Sequence, residues 1–195
     1  MRDCSMDMGL DKKNALVMSS SRGLGLGIAE ALADEGVNVL LTGRSEDKLK
    51  ENIEKINNRN GGKAYYVRVD LNQPESVTLI YAAVQKFLGG ADILVNNTGG
   101  PPPGKMVDVD IAALPGQLEA MVTRVVQITD KLLPHMREQK WGRIITIGSS
   151  GLIQPIANLA LSNLVRASLV GWSKSLSNDL AAEGITVNML SLIHI

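Results

Sequence analysis

The chain contains a run of serines and glycines that reads Ser-Ser-Ser-Arg-Gly-Leu-Gly over residues 19–25. An apolar segment that predicts a strand precedes this run, and apolar residues at helical spacing follow it. A glycine turn in this place lets a phosphate approach the backbone, and the N–H groups at the start of the helix favour an anion. We therefore predict a dinucleotide-binding loop. The predicted contacts are Ser19, Ser21, Arg22, Gly23, Leu24 and Gly25.

The residue that ends the second predicted strand bears on which dinucleotide binds. Dinucleotide-binding folds often place an acid about twenty residues beyond the glycines, where it binds the ribose hydroxyls of NAD. This chain has Arg44 at the end of that strand. An arginine there suits a 2′-phosphate, and Arg22 can act as a second cation, so NADP is favoured over NAD. The alternative is that Arg44 is a solvated residue at the start of a helix.

Two further strand ends are predicted to face the same site. Asp70 and Leu71 follow the third strand, whereas Asn97 and Gly99 follow the fourth. Asp70 either accepts a hydrogen bond from the adenine amino group or caps the turn before Pro74. Asn97 either contacts the cofactor or bridges two strands. We predict all four residues as part of the cofactor site.

Strand and helix signals alternate along the whole chain, and they define the elements that must position these residues. Predicted strands cover residues 15–19, 37–42, 64–69, 93–96, 142–147 and 185–190, and predicted helices cover residues 24–36, 46–58, 74–88, 111–139 and 158–183. Repeated strand–helix–strand units with apolar strands imply a parallel sheet covered on both faces. The predicted fold is α/β, with a doubly wound, mostly parallel, Rossmann-like sheet whose strands hold the ligand at their carboxyl ends.

Composition and charge exclude several other classes of protein. Twenty Lys and Arg residues balance twenty Asp and Glu residues, so the sequence predicts no nucleic-acid partner. The 195 residues are 45% hydrophobic and suffice for one domain, which we assign to residues 13–189 after a disordered segment at 1–12. The single cysteine, Cys4, allows no intrachain disulfide. Because no signal or membrane segment is apparent either, we expect a cytoplasmic protein.

Several motifs together resemble the short-chain dehydrogenase/reductase family, especially its bacterial 3-oxoacyl-carrier-protein reductases. The motifs are the glycine loop, Asp70-Leu71, Asn96-Asn97-Thr98-Gly99, Leu133-Pro134, Gly142-Arg143-Ile144-Ile145 leading to Ser149, and Gly184-Ile185-Thr186-Val187-Asn188. The resemblance covers residues 13–189. It implies an NADP-dependent oxidoreductase that acts on a small-molecule carbonyl or alcohol. It also implies a homodimer or homotetramer that pairs through the helices at 111–139 and 158–183.

The positions that carry the chemistry of this family differ in the present chain. The resemblance implies a serine that orients the carbonyl, and Ser149 matches it. It also implies a tyrosine that protonates the carbonyl oxygen and, four residues later, a lysine that holds the ribose. Ser162 and Arg166 stand at those two positions, and Met121 stands at the position of the family's asparagine. We predict Ser149, Ser162 and Arg166 as the catalytic residues, with Arg166 also contacting the cofactor.

These replacements predict slow chemistry. An aliphatic hydroxyl is a much poorer acid than a phenol, and a guanidinium does not release a proton near neutral pH. General acid catalysis contributes about 10²–10⁴-fold, so hydride transfer is predicted to be slow rather than abolished. The tyrosines are predicted to lie away from the site, and His135 is predicted to be solvated at the surface. The alternative functions are a catalytically impaired dinucleotide-binding pseudoenzyme or sensor, and an inactive gene fragment.

The end of the chain departs from the family pattern. Family members continue past Asn188 into helices that cover the substrate and a final strand, so the resemblance implies that the final strand and the substrate lid are missing. Residues 190–195 read Leu-Ser-Leu-Ile-His-Ile, which is what a widely used sequencing adapter gives on translation. We expect a C-terminally truncated gene prediction with a non-native tail at 190–195. The substrate is therefore not identified by the sequence.

Overall fold

A six-stranded parallel sheet forms the centre of the molecule. The computed structural model describes residues 7–191. The strands are β1 (Asn14–Val17), β2 (Asn38–Gly43), β3 (Ala64–Arg68), β4 (Ile93–Asn96), β5 (Gly142–Ile147) and β6 (Ile185–Leu190). Their order is β3-β2-β1-β4-β5-β6, and every neighbouring pair is parallel. Because the chain direction across the sheet reverses between β1 and β4, the predicted doubly wound α/β fold is confirmed.

The connections between strands are mainly helical. The helices are α1 (Gly23–Asp34), α2 (Glu46–Asn57), α3 (Ser76–Leu88), α4 (Leu114–Leu118), α5 (Arg124–Gln139) and α6 (Ala160–Leu180). The single helix predicted at 111–139 is wrong, because a 3₁₀ turn, α4, a π-helical segment at Glu119–Thr123 and α5 follow one another there. The helix predicted at 158–183 begins at Ala160, since Asn158 has a left-handed backbone with φ 59°.

Glycines stop the chain from continuing as helix at three points. Gly36, Gly89 and Gly184 have φ values of 83°, 72° and 75°, a left-handed conformation that glycine adopts without a steric penalty. Ser45 precedes α2, and its side chain makes no capping hydrogen bond. The carboxylates of the two acids in the first turn of α2 stabilise the helix instead, because they lie near the positive end of its dipole.

Apolar side chains alternate along the strands and cover both faces of the sheet. Leu16, Leu40, Leu94 and Ile144 are fully buried in a cluster with residues of α3, α5 and α6. Their neighbours along the strands, such as Val17, pack against α1 and α2 on the other face. Because both faces are covered, the carboxyl edge of the sheet and its loops remain for ligand binding.

The segment before β1 differs from its prediction. The amide of Lys12 donates to the carbonyl oxygen of Gly36 (3.1 Å), and Gly9 N–H donates to Asp7 Oδ1 (2.8 Å). Lys12 therefore ties the segment before β1 to the end of α1, whereas the predicted disorder of 1–12 stays a prediction. Residues 1–6, with Cys4, and 192–195, most of the predicted tail, lie outside the described residues. Between residues 7 and 191, no helix is long and apolar enough to cross a membrane.

Candidate active site

A cleft of about 450 Å³, here called the nucleotide cleft, opens at the carboxyl edge of the sheet where the strand order reverses. Its walls come from the glycine loop, the ends of β2, β3 and β4, and the segment around α4. All the predicted cofactor residues line it except Leu24, Gly25 and Arg166. The predicted residues that do line it are Ser19, Ser21, Arg22, Gly23, Arg44, Asp70, Leu71, Asn97 and Gly99.

Hydrogen bonds to β1 and β2 fix the first half of the glycine loop. Ser19 has φ 48°, a left-handed conformation that is uncommon for residues other than glycine. Its N–H donates to Thr42 Oγ1 (2.9 Å). The hydroxyl of Ser20 donates to the Val17 carbonyl oxygen (2.7 Å) and accepts from the Thr42 N–H (3.0 Å). The buried Asn52 of α2 donates to the Ser21 carbonyl oxygen (3.0 Å). The loop is therefore held in one conformation before any ligand binds.

The second half of the loop leaves room and N–H donors for an anion. Gly23 begins α1 with φ 59°, and a Cβ placed on it would meet only open space. Arg22 precedes the helix, and its side chain makes no capping hydrogen bond, so the first-turn N–H groups remain for a ligand. Gly25 lies underneath, where a Cβ would stand 2.6 Å from the Ser19 carbonyl oxygen. Leu24 is 46% exposed and does not line the cleft. This arrangement fits a dinucleotide phosphate.

The opposite end of the nucleotide cleft carries the residues predicted for the adenosine half. Arg44 is exposed directly after β2. Asp70 Oδ1 accepts hydrogen bonds from Asn72 N (3.1 Å) and from Asn72 Nδ2 (2.8 Å), which supports the turn-forming alternative for Asp70. Asp70 also lines the cleft, so the adenine contact stays a prediction. In the described part of the chain, Arg22 and Arg44 form no salt bridge.

Two asparagines at the end of β4 have different surroundings. Asn97 Nδ2 donates to the Ser19 carbonyl oxygen (3.2 Å), so Asn97 bridges the β4 end to the glycine loop while lining the cleft. Asn96 is buried, and its Nδ2 lies 3.5 Å from both Thr129 Oγ1 and Thr146 Oγ1. Sequence reasoning did not predict several other cleft residues as contacts, because periodicity and spacing do not show which neighbours of a motif face the cleft. The missed lining residues include Thr42, Asn72, Thr98, Gly100, Gln117 and Ala120.

Arg166 joins the ends of two strands. Its Nη1 donates to the Ile147 carbonyl oxygen at the end of β5 (3.2 Å), and its Nη2 donates to the Gly99 carbonyl oxygen beyond β4 (3.2 Å). Its Nε donates to Ser162 Oγ (3.3 Å). Burial lowers the pKa of this guanidinium from its ordinary value, although an arginine stays protonated near neutral pH. The structure therefore brings Ser162 and Arg166 together, and Arg166 contacts the nucleotide cleft only through Gly99, which lines it.

Ser149 lies two residues beyond β5, at the start of a 3₁₀ turn. Its Oγ accepts a hydrogen bond from the Gly151 N–H (3.2 Å). A Cβ built on Gly151 would lie 3.4 Å from Ser149 Oγ and 2.5 Å from Asn163 Oδ1, so Asn163 of α6 lies beside this turn. Asn163 Nδ2 donates to the Ile156 carbonyl oxygen (3.0 Å). Asn163 therefore lies beside the turn that carries Ser149.

Apolar packing occupies the position where the family has an asparagine. Met121 lies in the π-helical segment, is only 3% exposed and lines the nucleotide cleft. It belongs to a small apolar cluster with Leu161 and Val165 of α6. A thioether has little capacity for hydrogen bonding. Met121 therefore closes the inner wall of the cleft by packing and supplies no proton relay.

No tyrosine described here takes the place of the missing phenol. Tyr65 stacks on a phenylalanine of α3 with ring centroids 5.2 Å apart, and the Tyr66 hydroxyl donates to Glu46 Oε1 (3.2 Å). Tyr81 lies on α3 and does not line the cleft. The predicted surface position of His135 is wrong, because its side chain is 25% exposed and its Nε2 lies 3.3 Å from Asp92 Oδ1.

Known proteins resemble this chain over most of its length. The 3-oxoacyl-[acyl-carrier-protein] reductase FabG of Aquifex aeolicus is 33% identical over 187 residues, which are 95% of this chain and 75% of that protein. The structure of L-sorbose reductase from Gluconobacter frateurii, complexed with NADPH and L-sorbose, has a TM-score of 0.90 at 33% identity, covering 95% of this chain and 71% of the other. The structure of a variant of actinorhodin polyketide ketoreductase with NADPH has a TM-score of 0.85 at 30% identity. The match covers 93% of this chain and 70% of the other.

The family itself is identified by a match that spans nearly all of the described fold. The sequence model of the family described as short chain dehydrogenase matches residues 13–193. The doubly wound sheet and the glycine loop at its carboxyl edge are what such a match requires of the structure. The chain belongs to the short-chain dehydrogenase family.

Proposed function

We propose that this chain binds NADP and reduces a small-molecule carbonyl at a low rate. The observation that carries the proposal is the nucleotide cleft, which joins the open first turn of α1 to the exposed Arg44. The nicotinamide ring supplies hydride chemistry when the cofactor is bound. Similarity to two reductase structures that contain NADPH supports this assignment.

The preference for NADP over NAD rests on charge. Arg44 stands where NAD-binding folds often have an acid for the ribose hydroxyls. A guanidinium binds a phosphate through paired N–H donors, whereas it gives no such advantage with a plain ribose. Arg22 borders the same cleft and adds a second positive charge. We therefore expect NADPH to bind more tightly than NADH.

The low rate follows from the residues around the predicted catalytic serine. Ser149 can orient a carbonyl through its hydroxyl, but Ser162 replaces the phenol that would protonate the carbonyl oxygen. Arg166 keeps a positive charge beside Ser162 and holds two backbone carbonyl oxygens. Because an arginine cannot release the proton, the proton must come from water or a serine hydroxyl. The expected rate deficit is about 10²–10⁴-fold.

A nucleotide-binding protein without turnover is the second candidate. The specific observation in its favour is that two positions of the family's proton path have structural contacts here. Met121 packs against α6, and Arg166 ties β4 to β5. Such a protein would bind NADPH in the same cleft and transfer no hydride.

One experiment separates the two candidates. Nucleotide binding is followed by NADPH fluorescence, and NADPH oxidation is measured with a panel of ketones and aldehydes. Tight binding with slow oxidation is the result expected of the reductase. Tight binding with no oxidation of any carbonyl contradicts the reductase and favours the second candidate, and failure to bind NADPH contradicts both.

A pair of double variants tests the missing acid. Ser162→Tyr with Arg166→Lys restores a phenol and an amine, and it should raise the oxidation rate by about 10²-fold or more. The matched control is Ser162→Phe with Arg166→Lys, which has the same ring without the hydroxyl. Equal rates in the two double variants would show that the phenolic proton is not what the site lacks.

A further inference from the structure

A second cleft, here called the side cleft, adjoins the nucleotide cleft beyond the ends of β2 and β3. It has a volume of about 410 Å³. The two clefts share Arg44, Val69 and Asp70. The remaining wall of the side cleft includes Arg68 and, on the segment leading into α3, Glu75. A ligand in the nucleotide cleft therefore meets the side cleft at Arg44.

Strand pairing places Arg68 against the loop that carries Arg44. Arg68 is the last residue of β3 and is in register with Gly43, the last residue of β2. Its Nε donates to the Arg44 carbonyl oxygen (3.3 Å). The next residue, Val69, donates its N–H to the Gly43 carbonyl oxygen (2.8 Å). These bonds hold the Arg44 backbone and keep the end of β3, with Arg68, beside the segment that carries Arg44.

In the described part of the chain, neither arginine is paired with an acid in a salt bridge. Glu46, near Arg68, pairs with a lysine one turn further along α2 at 3.0 Å. Asp70 Oδ1 accepts two hydrogen bonds from Asn72. Arg44 and Arg68 are both exposed. Among residues 7–191, the Nη1 and Nη2 groups of Arg68 have no hydrogen-bond partner. They remain available to an anion.

We propose that Arg68 binds the 2′-phosphate of the nucleotide together with Arg44, and so helps to determine the preference for NADP. A phosphate monoester has three acceptor oxygens, and guanidinium groups are suited to bind pairs of them. The sequence pattern does not indicate Arg68, because the residue precedes the Asp70-Leu71 motif and lies on a different strand from Arg44. The inference rests on the proposed binding of NADP and adds a residue that determines specificity.

The test uses Arg68→Gln in the full chain, with Arg59→Gln as a control of equal charge change just beyond the end of α2. The probes are NADPH, NADH, 2′,5′-ADP and 5′-AMP, with binding followed by fluorescence or calorimetry. Arg68→Gln should weaken the binding of NADPH and 2′,5′-ADP about tenfold. It should leave the affinities for NADH and 5′-AMP within about twofold of the wild-type values. Arg59→Gln should change none of the four. Thermal melting of both variants checks that they fold.

A double-mutant cycle separates direct contact from positioning of Arg44. If Arg68 contacts the phosphate, Arg68→Gln should still weaken 2′,5′-ADP about threefold in an Arg44→Gln background. No further loss in that background would overturn the direct contact. Unchanged NADPH binding in Arg68→Gln, with wild-type protein that binds NADPH, would overturn this inference alone. Wild-type protein that binds neither NADPH nor 2′,5′-ADP would overturn the proposed function together with it.

Discussion

Two glycines in the same turn of α1 should respond in opposite ways to replacement by alanine. Gly25 is buried under the loop, whereas a Cβ on Gly27 would find nothing within 4 Å. Both residues are helical, so each substitution gains about 1 kcal/mol of helix propensity. A methyl group on Gly27 meets no neighbouring atom, so Gly27→Ala should raise the free energy of unfolding by about 1 kcal/mol. It serves as the matched control for Gly25→Ala.

The cost of a methyl group at residue 25 follows from its neighbours. The added Cβ would lie 2.6 Å from the Ser19 carbonyl oxygen, 2.8 Å from Asn97 Nδ2 and 2.9 Å from Ser20 Cα. Two of these three atoms belong to the backbone of a loop that is tied to β1 and β2, so they cannot move away freely. Overpacking of this kind costs about 3 kcal/mol, at the upper end of the usual range. After the gain in helix propensity, we expect a net loss of about 2 kcal/mol.

Urea and thermal unfolding measure this difference, and NADPH fluorescence measures its effect on the loop. Gly25→Ala should lower the melting temperature by about 4–8 °C, and Gly27→Ala should raise it by about 2–4 °C. Because the collision displaces Ser19 and Asn97, which both line the nucleotide cleft, Gly25→Ala should also weaken NADPH binding. A Gly25→Ala protein as stable as Gly27→Ala, with wild-type NADPH affinity, would refute this reasoning.

Three further predictions follow from contacts elsewhere in the molecule. Arg166→Met should lower the free energy of unfolding by about 2–4 kcal/mol in urea titrations, because two backbone carbonyl oxygens lose a charged donor. Arg166→Lys should lower the free energy of unfolding by less. Trp141→Leu should cost about 1–2 kcal/mol, measured in the same way, because the ring lies 4.3 Å from both the Lys13 ammonium and the Arg143 guanidinium. Hydrogen bonds lower the pKa of Glu46 from its ordinary value of 4.5. The contribution of Glu46 to the free energy of unfolding is therefore present above pH 4.5 and is lost as the pH falls below that value. The stability difference between wild type and Glu46→Gln should therefore disappear under acid conditions, as unfolding titrations at successive pH values can establish.

Local patterns were sufficient to predict half of the residues that line the nucleotide cleft, and whether those residues hold the cofactor stays a prediction. The nucleotide cleft collects Ser19, Arg44 and Asp70 because each follows a strand, and the carboxyl ends of parallel strands share one edge of the sheet. The contacts of the predicted catalytic residues were less predictable. Alignment of motifs indicates that Arg166 replaces a lysine, but only the structure shows its hydrogen bonds to two strand ends. Those bonds join residues far apart in the chain, so no periodicity or spacing reports them.

Sequence by itself determined the alternation of strands and helices, the glycine loop and the replacement of the family's tyrosine and lysine. These features depend on local periodicity and on residue identity, both of which can be seen in the chain. Tertiary structure alone decided that Asn97 bridges to Ser19, that the long helix before β5 divides at a π-helical segment, and that Arg68 lies beside Arg44. The physical reason is that strand register and side-chain packing are properties of the whole sheet, because they depend on which distant segments are buried together.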